Sequence, residues 1–126
     1  MAPNRDKIWK MFGCKCAYCG CDLKSSTGKH MQVDHVRALH RNWFGSGCLA
    51  PENDNEDNLF PSCPRCNNYK GSLNLKHFRF WINNSIRALE KVTAFQNAKR
   101  YGMIEIKEWD GKFWFEKWLE TFGKGK

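Results

Sequence analysis

The sequence lacks any apolar run of the roughly 18 residues needed to span a membrane, so no transmembrane helix is expected. Residues 1–7 lack the apolar centre of a secretory signal. No internal repeat, low-complexity tract or second-domain boundary is visible either. These absences argue against a membrane protein or a repeat protein. They favour an intracellular protein of a reducing, cytoplasmic setting, whose 126 residues form a single domain, 1–126.

The cysteines argue against a disulfide framework, because there are seven of them, an odd number, and no secretory signal accompanies them. Four are arranged as two Cys-x-x-Cys pairs, Cys16/Cys19 and Cys63/Cys66. Two such pairs can close a tetrahedral site, so we predict a structural Zn²⁺ site. The alternatives are unrelated thiols or a redox role for the second pair, although redox pairs normally lie near a βαβ unit, which the sequence does not show. The remaining cysteines, of which the first two could replace a member of the first pair, are Cys14, Cys21 and Cys48.

The composition is basic, with 21 Lys and Arg against 13 Asp and Glu and a formal net charge of +8. A surface with this excess of positive charge attracts polyanions by long-range steering and by counterion release. A nucleic acid is therefore the expected partner. A basic face that is merely solvated is the alternative.

The first half of the chain is rich in turn-forming residues and has little apolar periodicity. Its pattern predicts a short strand around 30–34, a long loop over 41–57 and a short helix over 63–72. A core this thin would gain from a structural metal ion, because metal binding contributes directly to the free energy of folding.

The second half, residues 73–126, forms a helical and aromatic tail. Apolar residues at helical spacing predict helices over 75–89 and 92–101. Alternation that begins at Ile104, followed by Asp110-Gly111, predicts a β-hairpin over 104–117. The aromatic residues of this stretch also fit a helical period, so a helix there is the alternative.

Between and after the cysteine pairs lie Asp34-His35, Asn58-Leu59 and Asn67-x-x-Lys70. This order of motifs resembles the HNH endonuclease family, and the resemblance covers a motif core of residues 14–72. The tail more loosely resembles those of small phage-borne members. The resemblance implies an α+β fold, in which a zinc-stabilised ββα-metal core is followed by helices and, from the tail pattern, a C-terminal β-hairpin.

The family's catalytic roles carry over residue by residue. The resemblance implies that His35 is the general base and that Asn58 helps to orient it. It implies that Asp34 and Asn67 bind one catalytic divalent ion, Mg²⁺ or Mn²⁺, through oxygen atoms. Because many members have His where this chain has Asn67, the chain looks like an H-N-N variant.

Three basic residues near the motifs are candidate contacts to nucleic-acid phosphates: Lys70, Arg37 and Arg41. Solvated surface positions are the alternative for each of them. The chain departs from the family pattern after His35, where many members have a proline and a glycine-rich turn. This departure weakens the argument for Arg37 and Arg41.

These observations together predict a metal-dependent endonuclease that hydrolyses phosphodiester bonds in DNA, with double-stranded DNA as the expected substrate. One alternative is a catalytically inactive, zinc-stabilised nucleic-acid-binding module. Another is a small scaffold protein that binds a partner through its aromatic tail. Intact Asp34, His35 and Asn67 favour the enzyme.

Overall fold

The computed structural model describes residues 4–36 and 58–123. The predicted loop over 41–57, together with Arg37, Arg41 and Cys48, lies outside the described residues. Among the described residues, no helix has both the length and the apolar character needed to cross a membrane. In chain order the elements are α1 Arg5–Lys10, β1 Gln32–His35, β2 Leu59–Ser62, α2 Pro64–Lys70, α3 Leu75–Asn83, α4 Ser85–Leu89, α5 Thr93–Arg100 and α6 Trp114–Phe122.

Strands β1 and β2 pair in antiparallel fashion, and α2 follows β2 almost directly, which confirms the predicted ββα unit in an α+β fold. Within the pair, Asp34 lies opposite Phe60 and His35 lies opposite Leu59. Successive side chains of a strand point to opposite faces. Asp34 therefore lies on the face that carries Phe60, and His35 lies on the other face.

Helix α2 begins and ends at residues suited to those positions, and it confirms the helix predicted over 63–72. Cys63 is the N-cap, and its Sγ accepts a hydrogen bond of 3.4 Å from the backbone N–H of Cys66. Pro64 occupies the first helical position, where a missing N–H costs nothing. Gly71 ends the helix at φ 52°, a conformation that favours glycine.

The predicted helix over 75–89 is observed as two helices, α3 and α4, which meet at Asn84. The side chain of Asn84 donates a hydrogen bond of 2.8 Å to the carbonyl oxygen of Phe80, and its backbone has φ −91° and ψ 5°. Asn74 caps α3 by accepting from the N–H of His77 at 2.8 Å. The helix predicted over 92–101 is confirmed as α5.

The predicted C-terminal β-hairpin over 104–117 is wrong. Residues 104–110 form no strand, and α6 occupies the position of the second strand. The N–H of Phe113 donates to Glu116 Oε1 at 2.8 Å, which caps the first turn of α6. Arg79 of α3 binds the same carboxylate through two nitrogen atoms. These contacts select the helix that the aromatic spacing had left as the alternative.

The core is aromatic, with Tyr18 near its centre. The rings packed against Tyr18, at centroid distances from 5.3 to 6.4 Å, are Phe60, Phe78, Phe113 and Phe115. Backbone hydrogen bonds connect the turn of the first cysteine pair to β2 on one side and to α6 on the other. Ala17 N–H donates to Pro61 at 2.9 Å, and Phe115 N–H donates to Ala17 at 2.7 Å. The tail thus packs directly on the first cysteine pair and shares its core with the motif.

Candidate functional site

The four predicted zinc ligands lie together. The Sγ atoms of Cys16, Cys19, Cys63 and Cys66 are within 4.8 Å of one another, and those of Cys19 and Cys63 are 3.9 Å apart. Sulfur atoms around tetrahedral Zn²⁺, with Zn–S bonds of 2.3 Å, are about 3.8 Å apart. Backbone N–H groups also point at the sulfurs, since Tyr18 N–H lies 3.4 Å from Cys16 Sγ. The cluster therefore fits one metal ion with all four positions filled by protein.

The pKa values within the cluster reflect competition between thiolates. The pKa of Cys16 is lowered because the thiols of Cys19 and Cys66 donate hydrogen bonds to it. The pKa of Cys66 is raised, first of all by its hydrogen bond to Cys16, which favours the protonated form. A divalent cation removes this conflict, because it stabilises the thiolate form of every ligand.

Cys14 and Cys21 flank the first pair and lie outside this cluster. They close the base of the turn that carries the pair. The carbonyl of Cys14 accepts from Leu23 N–H at 3.0 Å, and the carbonyl of Cys21 accepts from Cys16 N–H at 2.9 Å. The sequence left open whether Cys14 or Cys21 replaces a member of the first pair. In the structure, the cluster contains Cys16 and Cys19 and neither of these two.

Asp34 is a buried carboxyl group, with 5% of its surface exposed. Its Oδ2 accepts a hydrogen bond from the hydroxyl of Tyr18 and lies 3.2 Å from Lys70 Nζ. Burial raises the pKa of Asp34, and the contacts with Tyr18 and Lys70 offset only part of this shift. Burial, followed by the charge of Asp34, raises the pKa of Tyr18, so its hydroxyl remains a donor.

His35 lies at the end of β1 and is half-buried. Its strand partner is Leu59, and the neighbouring Val36 N–H donates to the carbonyl of Asn58 at 2.9 Å. Asn58 itself is 3% exposed. The structure thus brings His35 and Asn58, which are separated by the segment 37–57, to the same end of the two-stranded sheet.

Asn67 lies on α2, three residues before Lys70, and is half-buried. Residues three apart share a helix face, and Lys70 reaches from that face to β1. Asn67 is therefore on the side of α2 that carries the contact with Asp34 and His35. The ββα unit thus carries all four predicted catalytic and metal-binding residues: Asp34, His35, Asn67 and, directly before β2, Asn58. The predicted phosphate contacts Arg37 and Arg41 are outside the described residues.

The residues that form the ββα unit and the cysteine cluster match the model of a known protein family. The family model of HNH endonuclease matches residues 16–73. Residues 16–73 belong to the HNH endonuclease family. Neither curated proteins nor solved structures give a match to the chain. The HNH segment, residues 16–73, ends before α3, so the helices of the tail are outside the family match.

The burial of Lys70 argues against its predicted role as a phosphate contact. A phosphate contact needs an ammonium group that reaches solvent, but the side chain of Lys70 is 0% exposed. Its Nζ donates to the carbonyl oxygen of His35 at 3.2 Å and lies equally close to Asp34 Oδ2. A buried lysine needs a charged or hydrogen-bonding partner, and Asp34 is that partner. Lys70 therefore connects α2 to β1 and is not proposed to bind phosphate.

Sequence reasoning missed Tyr18, which lies in the first cysteine pair and reaches Asp34. Two signals were available. A tyrosine enclosed by two zinc ligands has a position determined by the metal site, and a buried tyrosine hydroxyl normally finds a hydrogen-bond partner. Neither signal identifies Asp34 as that partner, because the contact depends on how β1 packs against the cysteine turn.

Proposed function

We propose that the chain is a metal-dependent endonuclease that hydrolyses phosphodiester bonds in DNA, with double-stranded DNA as its substrate. The observation that carries the proposal is the ββα unit within the HNH segment. It places His35 and Asn58 at one end of the sheet, next to the helix that carries Asn67. A base, a carboxylate and an amide oxygen on adjoining elements match the needs of metal-assisted hydrolysis.

His35 is the proposed general base. The neutral imidazole accepts a proton from a water molecule as the water oxygen attacks the phosphorus atom. The bond from phosphorus to the 3′ oxygen breaks, and the departing oxygen takes up a proton from solvent. Its half-buried position at the end of β1 leaves part of the side chain accessible from solvent. Asn58 is buried and directly precedes β2, and it is proposed to hold the end of the sheet and so to orient the imidazole.

Asp34 and Asn67 are the proposed protein ligands of the catalytic ion. Both offer hard oxygen donors, which suit Mg²⁺ or Mn²⁺. Since Oδ2 of Asp34 already engages Tyr18 and Lys70, we assign metal binding to Oδ1. When bound, the ion neutralises charge that develops on the phosphoryl and leaving oxygens. Products with 5′-phosphate and 3′-hydroxyl ends are expected.

The cysteine cluster is proposed to hold a structural Zn²⁺. Four thiolates complete its coordination and leave no open position for a substrate or water. The ion would hold the turn of Cys16 and Cys19 against the start of α2. Cysteine ligands must stay reduced, so we place the protein in a reducing, cytoplasmic setting.

The DNA contacts are proposed to come from the basic surface as a whole. The net charge of +8 favours a polyanionic partner, and Arg37 and Arg41 remain proposed phosphate contacts. Both arginines follow the proposed base, His35, closely in the chain.

Supercoiled plasmid tests the proposal. The purified protein should nick or cut the plasmid with Mg²⁺ or Mn²⁺, and EDTA should abolish the activity. His35→Ala should slow cleavage about 10²–10⁴-fold, the usual effect of losing a general base. His30→Ala is the matched control, because His30 lies outside β1 and has no proposed role. If His35→Ala cuts as fast as the parent, the proposed mechanism is wrong. Binding without cleavage would favour the inactive DNA-binding module.

A further inference from the structure

Tyr18 touches the cysteine cluster and Asp34 at the same time. It stands between Cys16 and Cys19 in the chain, and its N–H lies 3.4 Å from Cys16 Sγ. Its hydroxyl, at the other end of the side chain, donates to Oδ2 of Asp34. Only 4% of the residue is exposed. The position of the hydroxyl is therefore determined by the conformation of the cysteine turn and by the packing around the ring.

The ring of Tyr18 is held firmly by edge-to-face contacts. Phe78 and Phe113 lie at centroid distances of 5.3 and 5.4 Å, with interplanar angles of 86° and 81°. The backbone of the same residue is fixed as well, because its carbonyl accepts from Trp114 N–H at 3.1 Å. A side chain enclosed in this way presents its hydroxyl in one direction only.

Lys70 holds the same carboxylate oxygen from the opposite element. Its Nζ lies 3.2 Å from Asp34 Oδ2, and it comes from α2, the helix that also carries Cys66 and Asn67. Oδ2 is thus held by one residue from each of the two segments that carry the cysteine pairs. Ligands to metal ions are commonly oriented by hydrogen bonds of this kind to their remaining atoms.

We propose that Tyr18 is a positioning residue that couples the cysteine cluster to the divalent-ion site. By holding Oδ2 of Asp34, it leaves Oδ1 as the oxygen that would bind Mg²⁺ or Mn²⁺, so that the conformation of the cysteine turn affects the affinity for that ion. The inference rests on the proposed function, in which Asp34 is a metal ligand. Tyr18 does not touch the substrate or the reacting atoms.

Tyr18→Phe tests the coupling, because it keeps the ring and removes only the hydroxyl. Mn²⁺ binding is measured by electron paramagnetic resonance, and zinc content is measured on the same samples. We expect Mn²⁺ affinity to fall about 10–100-fold with zinc content unchanged. Cleavage at saturating Mn²⁺ should stay within a few-fold of the parent. Tyr69→Phe is the matched control, since Tyr69 is 53% exposed on α2, and it should leave the affinity unchanged.

The outcomes separate the two proposals. If Tyr18→Phe binds Mn²⁺ as tightly as the parent, Tyr18 only packs in the core, and the inference is overturned while the nuclease proposal stands. If the parent itself binds no Mn²⁺, Asp34 is not a ligand, and both proposals fall.

A second measurement keeps the hydroxyl group of Tyr18 in place. The parent is labelled with fluorotyrosine, which replaces its three tyrosines, and is titrated with Mn²⁺ under fluorine NMR. The Tyr18 resonance, assigned from Tyr18→Phe or by elimination with Tyr69→Phe and Tyr101→Phe, should broaden before the other two. Mg²⁺ at the same concentrations should cause no broadening. Equal broadening of all three resonances would contradict binding at Asp34.

Discussion

Lys70 Nζ lies 3.2 Å from Oδ2 of Asp34, and the lysine side chain has no exposed surface. The two residues belong to α2 and β1, so this pair connects the helix and the strand of the ββα unit. Because α2 begins at the second cysteine pair and Asp34 directly precedes His35, the ion pair also connects that cysteine pair to the proposed base. An ion pair this deeply buried is costly to break, because either charge left alone has no solvent to stabilise it.

Lys70→Met should therefore destabilise the fold by about 3–5 kcal/mol, since it leaves Asp34 without its cation. Chemical denaturation at neutral pH measures the free energy of unfolding. Lys76→Met, at an exposed position on α3, is the control and should change stability by less than about 0.5 kcal/mol. A stable Lys70→Met variant with weakened DNA binding would instead support the phosphate contact that the sequence had predicted.

Cys63→Ser should remove the structural metal ion and unfold or aggregate the protein. Metal binding at four thiolates contributes folding free energy directly, and Cys63 also begins α2 as its N-cap. Metal analysis should find about one zinc per chain in the parent, as expected for a single tetrahedral site. Circular dichroism follows the loss of structure. Cys21→Ser, outside the cluster, should keep its zinc. A folded parent free of zinc would refute the assignment.

The roles proposed for Asn67 and His35 predict different responses to metal. Asn67→Ala removes a neutral ligand, so excess Mn²⁺ should partly restore cleavage by mass action. His35→Ala removes the base, and no Mn²⁺ concentration should restore its activity. Plasmid cleavage across a Mn²⁺ titration measures both.

Asn68→Ala is the matched control, because Asn68 is the exposed neighbour of Asn67 on α2, and it should behave as the parent. Rescue of His35→Ala by Mn²⁺ would assign His35 to metal binding and would contradict its role as the base.

The bidentate pair of Arg79 and Glu116 should make stability depend on pH. Its N···O distances are 2.6 and 3.0 Å. Burial raises the pKa of Glu116, but the hydrogen bond and charge of Arg79 outweigh it and hold this pKa below its usual range. Because the folded-state pKa is the lower one, the stabilisation is complete above the unfolded value of about 4.3. It is lost as the pH falls through the folded-state pKa.

Glu116→Gln should accordingly lower the free energy of unfolding by about 1 kcal/mol at pH 7. The difference from the parent should begin to shrink below the unfolded value of about 4.3 and should disappear as the pH falls through the lower folded-state pKa of Glu116. Thermal or urea unfolding across pH measures this. Glu90→Gln breaks the more exposed pair with Lys99 and should have a smaller effect. An equal difference at pH 7 and pH 3 would contradict the role of the ion pair.

The sequence alone identified the cysteine cluster and, through its resemblance to the HNH endonuclease family, the ββα unit. The cysteine pairs and the helix over 63–72 rest on short-range spacing, in which a turn brings Cys16 toward Cys19 or a capped helix begins at Pro64. Metal coordination then demands that the two cysteine pairs meet, so their long-range contact could also be predicted. The same kind of local signal, apolar residues at helical spacing, identified α5.

Only the tertiary structure decided the form of the C-terminal stretch and the role of Lys70. Turn and helix signals compete after Asp110, and the helix is selected by Arg79, which lies far away in the chain. Lysine is usually a surface residue, and nothing near Lys70 in the chain indicates that Asp34 will meet it. Tyr18 likewise finds Asp34 only through packing. Local spacing determines which elements form, whereas the burial of a charge depends on partners that the fold brings together.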